Sequence, residues 1–290
     1  MALPSSGAIA LSDIQTEFGG VNPISISEYY RGTSVGLVTF TNDTNSNANI
    51  PTSPGSTISW SNFYGAKVGY PTIVDKTNKA TGGTGSPLSI TVPASRQSGD
   101  ILLLVSAHSY YNFDYPSGYG PTPTTGWTRI YDLTAKDDFE SPNFVAWWKV
   151  SDGTETSVSY TTSGSSNNST CAAVFVIRGV NTTTPFQSTA AITRAYNTTS
   201  TISFGSVTPS YKGGLLLCLA AQGSTGAITT AGVTQNISNF SASDYRDIRL
   251  AYGTYPVGTA QSIGSAFTPS SWGGSSAHAA VSFSLLIQPK

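Results

Sequence analysis

From Tyr70 onward the chain writes the same series of phrases twice, and an internal repeat restricts it to folds built from two similar halves. Val92-Pro93-Ala94-Ser95 leads through Gly99-Asp100 into Ile101-Leu102-Leu103-Leu104, and Val207-Thr208-Pro209-Ser210 leads through Gly213-Gly214 into Leu215-Leu216-Leu217. Thr124-Thr125-Gly126-Trp127-Thr128 is answered by Thr230-Ala231-Gly232-Val233-Thr234, Gly153-Thr154 by Gly258-Thr259, and Ala172-Ala173-Val174 by Ala279-Ala280-Val281. Within each series, short apolar runs alternate with turn residues at the spacing of an all-β sandwich. The chain holds 29 Gly and 16 Pro, which favours many short strands over long helices. Strands are expected near 71–75, 88–92, 100–107, 127–133, 143–150, 156–162 and 171–178, then near 201–207, 214–221, 232–238, 247–255, 260–267 and 278–287. The fold class is mainly β: a small N-terminal part with short helices, then a duplicated antiparallel β-sandwich over 69–290, jelly-roll-like, with halves of about 69–184 and 185–290. Two small sandwiches or the two Greek-key halves of one jelly roll both satisfy the repeat. One duplicated sandwich is preferred, because no linker-like run separates the halves beyond Asn181 to Thr184.

Residues 1–68 carry a different repeat, a short phrase written three times. Its copies are Ile9-Ala10-Leu11-Ser12-Asp13-Ile14, Ile24-Ser25-Ile26-Ser27-Glu28-Tyr29 and Ile58-Ser59-Trp60-Ser61-Asn62-Phe63, running on to Gly19, Gly32 and Gly65. Each reads as an extended piece followed by Ser12, Ser27 or Ser61 as an N-cap and then a short helix, with Asp13 and Glu28 placed to suit the helix dipole. The apolar side chains Ile14, Phe18, Tyr29, Tyr30, Trp60 and Phe63 need either one another or a partner surface.

Charge narrows the function classes. Lys+Arg number 14 and Asp+Glu 15, and charged residues are 10% of the chain, so a long basic groove for nucleic acid is not expected. No apolar run reaches the length of a signal peptide or of a membrane span, so a soluble protein with no membrane insertion is expected. Cys171 and Cys218 sit inside apolar strand-like runs and read as buried free thiols. Sequons such as Asn181-Thr182-Thr183 read as by-products of a Ser/Thr/Asn-rich composition.

Gly7-Ala8-Ile9-Ala10-Leu11-Ser12-Asp13-Ile14-Gln15-Thr16-Glu17-Phe18-Gly19-Gly20, then Asn22 to Gly32, closed by Ile58 to Gly65, resembles the N-terminal region of virion structural proteins of tailed bacteriophages, marine and cyanobacterial phages above all. The later phrases Pro93 to Ser95, Gly99 to Leu104, Gly126 to Thr128 and Arg178 to Val180 resemble β-sandwich repeats of phage tail-fibre and appendage proteins. The resemblance implies a virion component on the outer surface of the particle, assembled in the host cytoplasm. Its residues 1–68 would dock it onto other virion proteins through Ile14, Phe18, Tyr29, Tyr30, Trp60 and Phe63, with the β-domain facing outward. Homo-oligomers are expected, a trimer being the arrangement that fibre architecture suggests.

The sequence offers little for catalysis. Gly32-Thr33-Ser34-Val35-Gly36 matches a nucleophile-elbow pattern, but a strand-like run follows where the helix should be, and His108 and His278 are remote in sequence. The acidic run Asp132 to Glu140, with Asp137 and Asp138, lacks the spacing of a calcium loop and reads as a solvated hairpin end. No cofactor, metal site or catalytic residue is assigned. The stretch Tyr110-Tyr111-Asn112-Phe113-Asp114-Tyr115 to Tyr119 mixes rigid rings with small polar groups, as binding loops do. It suits contact with a host surface glycan and packing between subunits equally. In Phe144 to Val150, alternation puts Phe144, Ala146, Trp148 and Val150 on the core face and Trp147 on the outer face, open to a neighbour or a ligand, so loss of Trp147 is expected to spare folding. The expected function is a non-enzymatic tail-fibre or baseplate-appendage protein that contributes to host adhesion. A capsid or neck decoration protein is the alternative, and a glycan depolymerase a minor one.

Overall fold

The computed structural model of the chain describes residues 3–18, 23, 25–30, 49–52, 55–66, 71–81, 88–108, 122–123, 126–133, 143–161, 170–186, 191–195, 201–209, 214–223, 228, 248–257, 268–269, 271–273 and 280–289. Among these the chain is mainly β, with antiparallel sheets and one short α-helix, α1 (Leu11–Phe18).

In the first stretch the strands are β1 (Thr72–Thr81), β2 (Leu88–Thr91), β3 (Ile101–His108), β4 (Thr122–Pro123), β5 (Thr128–Leu133), β6 (Asn143–Val150), β7 (Ser157–Thr161) and β8 (Thr170–Arg178). They form a five-stranded sheet in the order β1-β8-β3-β6-β5 and a three-stranded sheet in the order β2-β7-β4. The second stretch contains β9 (Ala191–Ala195), β10 (Thr201–Ile202), β11 (Gly214–Gly223), β12 (Ile248–Val257), β13 (Trp272–Gly273) and β14 (Ala280–Ile287). Its sheets run β9-β14-β11-β12 and β10-β13. Matching β1, β2, β3, β6, β7 and β8 with β9, β10, β11, β12, β13 and β14 gives those six strands the same order, and the edge strands β4 and β5 have no counterpart among the described residues. The register corrects one detail of the sequence repeat. Ile101 lies opposite Ile177 and Leu215 opposite Ile287, so Ala172-Ala173-Val174 and Ala279-Ala280-Val281 are three residues out of structural step.

The central strands are apolar on both faces because both faces are covered. Ile101, Leu103 and Val105 of β3 share one cluster with Phe175 and Ile177 of β8, with Leu217 and Leu219 of β11, and with Phe283 and Leu285 of β14. The two larger sheets therefore face each other, with Phe144 and Phe283 at 5.7 Å and Phe175 edge-on to Tyr252 at 4.9 Å between ring centres. On the opposite faces, Leu102, Leu104, Val174 and Val176 meet Ile90 and Val158 from the three-stranded sheet and Val92 just beyond β2. Leu216, Cys218 and Leu286 meet Ile202, Phe204 and Trp272. Each Leu, Ile or Phe buried this way contributes about 1.5–3 kcal/mol relative to an exposed one. Two polar residues interrupt β14 on that second face, and both are satisfied: the Ser282 hydroxyl donates to the Ser203 carbonyl and the Ser284 hydroxyl to the Gly205 carbonyl.

The run at Asn181 to Thr184 is pinned down. Val180 bridges to Pro289 and Phe186 to Ile287, the Asn181 N–H donates to the Gln288 carbonyl at 3.1 Å, and the Gln288 N–H donates to the Pro185 carbonyl at 2.8 Å. The Asn181 side chain accepts the N–H groups of Thr183 and Thr184, closing the turn locally. Phe186 then stands edge-on to Trp148 at 5.8 Å.

Several strands escape the sequence pattern. β4 and β13 are two residues long, and β9 is a five-residue edge strand; β10 is shorter than expected, since residues 203–206 continue without pairing although Phe204 and Val207 stay buried. The strands expected near 232–238 and 260–267 lie outside the described residues. Both cysteines are buried thiols outside any disulfide, Cys171 toward the shared cluster and Cys218 toward the other face of its sheet.

Candidate functional site

The N-terminal phrase, read three times in the sequence, is three times a structural unit. Its sixth residue, Ile14, Tyr29 or Phe63, is 0% exposed in every copy. Phe18, Tyr29 and Phe63 form an aromatic triangle with ring centres 6.1–6.4 Å apart, and Leu3, Ile50 and Ala66 complete the cluster. Its two ends are tied together: the Leu3 N–H donates to the Ala66 carbonyl at 2.8 Å, the Gly65 N–H to Pro4 at 2.9 Å, and the Tyr64 hydroxyl to the Gly7 carbonyl at 2.6 Å. Gly65 has φ +69°, which an L side chain rarely adopts.

The expected caps are corrected. The helical turns begin at Leu11, Ile26 and Trp60, so Ser12, Ser27 and Ser61 fall inside the first turn. The side chain that closes the turn is the fifth of the phrase: Asp13 accepts the Ala10 N–H at 2.8 Å, and Asn62 accepts the Ser59 N–H at 2.7 Å. The second and third copies make only a four-residue 3-10 turn each.

Of the six residues expected to dock, all but Trp60 are buried. Ile14, Phe18, Tyr29 and Phe63 are buried within this N-terminal cluster, because a small cluster needs every large apolar side chain it has, and Tyr30 is buried as well. Tyr30 spends its hydroxyl on the Ser56 carbonyl at 2.6 Å. Trp60 stays 44% exposed, with Tyr64 at 36%.

Trp147 is partly buried by its own chain. It does lie on the face opposite Trp148, but there it packs with Trp127 against the cluster of Leu102, Leu104 and Val174. The Arg129 guanidinium lies 5.8 Å from the centre of its ring, on the neighbouring strand where Arg129 pairs with Trp147. Trp147 is thus partly covered by its own chain on that face.

At the other end of β6, side chains that the sequence did not single out gather around the turn from Ser151 to Thr156. Glu155 sits 2.8 Å from the Lys149 ammonium, accepts the Ser151 hydroxyl at 2.7 Å and the Asp152 N–H at 3.1 Å, and lies 3.9 Å from Arg96. Partial burial opposes its charge, yet the hydrogen bonds from Lys149, Ser151 and Asp152 outweigh it and hold the carboxyl down at about 2. Beside it, Arg178 grips Asp100 through two nitrogens, both at 2.8 Å, and donates to the Ser95 carbonyl at 3.0 Å. The bonds with Asp100 raise the Arg178 guanidinium above its ordinary range. Gly99-Asp100 and Arg178-Gly179 were visible as phrases, and their pairing is the signal that would have found this clasp. These carboxylates are spent on turns and cations, so the arrangement fixes backbone and leaves neither as a free general acid or base.

The remaining candidates meet the structure in part. Tyr110, Tyr111, Asn112, Phe113, Asp114, Tyr115 and Tyr119 lie outside the described residues, as do Gly32 to Gly36, the acidic run beyond Leu133, and His278. The strand ends that flank the aromatic and acidic runs come together, since His108 pairs with both Asn143 and Thr170, and Leu133 with Phe144. Among the described residues no three His, Cys, Asp or Glu side chains gather in a way that could hold a metal ion, and no helix is long and apolar enough to cross a membrane. Burial pushes the Cys218 thiol up to about 12 against a hydrogen bond with Ser284, so it is a poor nucleophile. Comparison with protein families, with curated proteins and with solved structures finds no match to this chain.

Proposed function

We propose that the chain is a non-enzymatic structural protein of a tailed-phage virion, a tail-fibre or baseplate-appendage element that contributes to adhesion at the host surface. The observation that carries this reading is the division within one chain between a small N-terminal cluster with its own core and two stretches in which six matched strands follow the same order. We read the first stretch as one jelly-roll unit, its sheet β1-β8-β3-β6-β5 against β2-β7-β4, the second as a related unit with β9-β14-β11-β12 against β10-β13, and the pair as a tandem duplication. The resemblance of residues 7–65 to phage virion proteins gives the N-terminal cluster its role in attachment. The engaged state of Asp100 and Glu155 favours a structural role over hydrolysis.

Gold labelling of intact virions with an antibody against residues 70–290 tests the reading by electron microscopy. Label at the tail or its appendages supports host contact and makes Tyr110 to Tyr119 the first target for mutagenesis. Label spread over the head replaces adhesion with capsid reinforcement. Unlabelled particles overturn the virion reading.

A further inference from the structure

The cluster shared by the two larger sheets is built from the same positions twice. Ile101 of β3 lies opposite Val150 and Ile177, and Leu215 of β11 lies opposite Pro256 and Ile287, which fixes how the two sheets match row by row. Stepping along these rows, twenty buried residues of the cluster fall into ten matched pairs, one member from each stretch, and Val180 alone is left over. The ring contacts are reciprocal too. Phe144 of β6 meets Phe283 of β14, and Phe175 of β8 meets Tyr252 of β12; since β12 matches β6 and β14 matches β8, the same pair of strands meets once in each sense. One face meeting its own counterpart about a local two-fold is the mark of an isologous interface, the kind that joins identical subunits.

Side-chain size selects the occupant of each face. Tyr252 and Phe283 of the second stretch match Ala146 and Ala173 of the first, while Leu250 and Leu285, which match Phe144 and Phe175, return only part of the difference. Two first stretches set face to face would leave the alanine positions underfilled, and two second stretches would crowd Tyr252 and Phe283, so each stretch fits the other best. The link from Val180 to Phe186 decides whether that other stretch comes from the same chain. Its turn is held by the Asn181 side chain, which accepts the N–H groups of Thr183 and Thr184, and opening that turn leaves the shared cluster free to re-form between two chains. We infer that this face also joins two copies of the chain, the first stretch of each seated on the second stretch of the other. A short link gives an effective concentration on the order of mM, so the closed monomer prevails in dilute solution, and exchange takes over where the link cannot turn back or where chains fold crowded together. Such exchange does not depend on the virion reading.

The test uses the full chain with Thr183→Pro and Thr184→Pro together, which removes both N–H donors of the Asn181 turn and holds the link extended. Light scattering should give this variant twice the mass of dilute wild type. In that dimer Phe283→Ala should lower the melting temperature as far as it does in wild type, because the same face is buried in both. A mass unchanged from wild type overturns the inference, and so does a dimer whose melting ignores Phe283→Ala, since another surface holds it. Wild type supplies a second measurement that does not need the proline variant to fold. Two differently tagged copies, refolded together at high concentration, should co-purify through either tag, and the pairs should survive dilution, because parting them means opening the shared cluster. Copies that never co-purify, or pairs that fall apart on dilution, overturn the exchange.

Discussion

Glu155 carries a pH dependence whose sign is fixed by its partners. Its carboxyl is held at about 2 in the folded chain against an ordinary 4.5, so its contribution to stability is fully present above 4.5 and is lost as pH falls through about 2. Glu155→Gln should cost about 2 kcal/mol at neutral pH, the scale of hydrogen bonds to a charged group, and the gap to wild type should close toward pH 2. Thermal melts of both proteins at pH 7 and pH 2.5 check this; a gap that persists undiminished in acid would assign the loss to packing. The two neighbouring tryptophans make a second residue-scale prediction. Trp148, packed on the shared cluster and on Phe186, should cost about 3–5 kcal/mol when cut to alanine. Trp147, covered on the other face, should also destabilise, by about 1–3 kcal/mol. A Trp147→Ala protein that melts with wild type would return that residue to the solvent face that alternation alone gives it.

At the scale of elements, turns decide more than strands do. Gly153 has φ +88°, and a Cβ there would stand 3.1 Å from the Ser98 nitrogen, so the turn after β6 closes against the turn before β3 only because the side chain is missing. Gly153→Ala should lose about 1–3 kcal/mol in a urea titration, from backbone strain and the close contact together. The long strands were legible in the sequence because burial on both faces leaves unbroken apolar runs such as Ile101 to Val105, and Asn143–Val150 is found where it was expected. β9, β4 and β13 were not, because five or two residues carry too little pattern to separate from a loop. The cap positions failed for a different reason. Serine is a good cap in general, but Asp13 and Asn62 reach back to the preceding N–H groups and move the start of the turn toward the N-terminus. The six N-terminal apolar residues were recognised as a set, and their division into five buried and one exposed depends on a three-dimensional closure that no spacing encodes.

For the whole molecule, the shared cluster means that the two stretches are not independent in stability. Leu217→Ala, a change in β11 alone, should cost about 2–5 kcal/mol and should speed amide exchange in β3 and β8 as well as in β11 and β14. Exchange that rises only in the second stretch would show that the sheets open separately. The strand order has a further consequence, for the order of events during synthesis. β8 lies between β1 and β3, and β14 between β9 and β11, so in both stretches the last strand made is the one that joins the first to the third. Neither large sheet can close until that strand has left the ribosome, and the earlier strands wait with their apolar edges unpaired. Such late, long-range pairing makes folding slow and leaves the growing chain dependent on protection from aggregation until residue 287 is free.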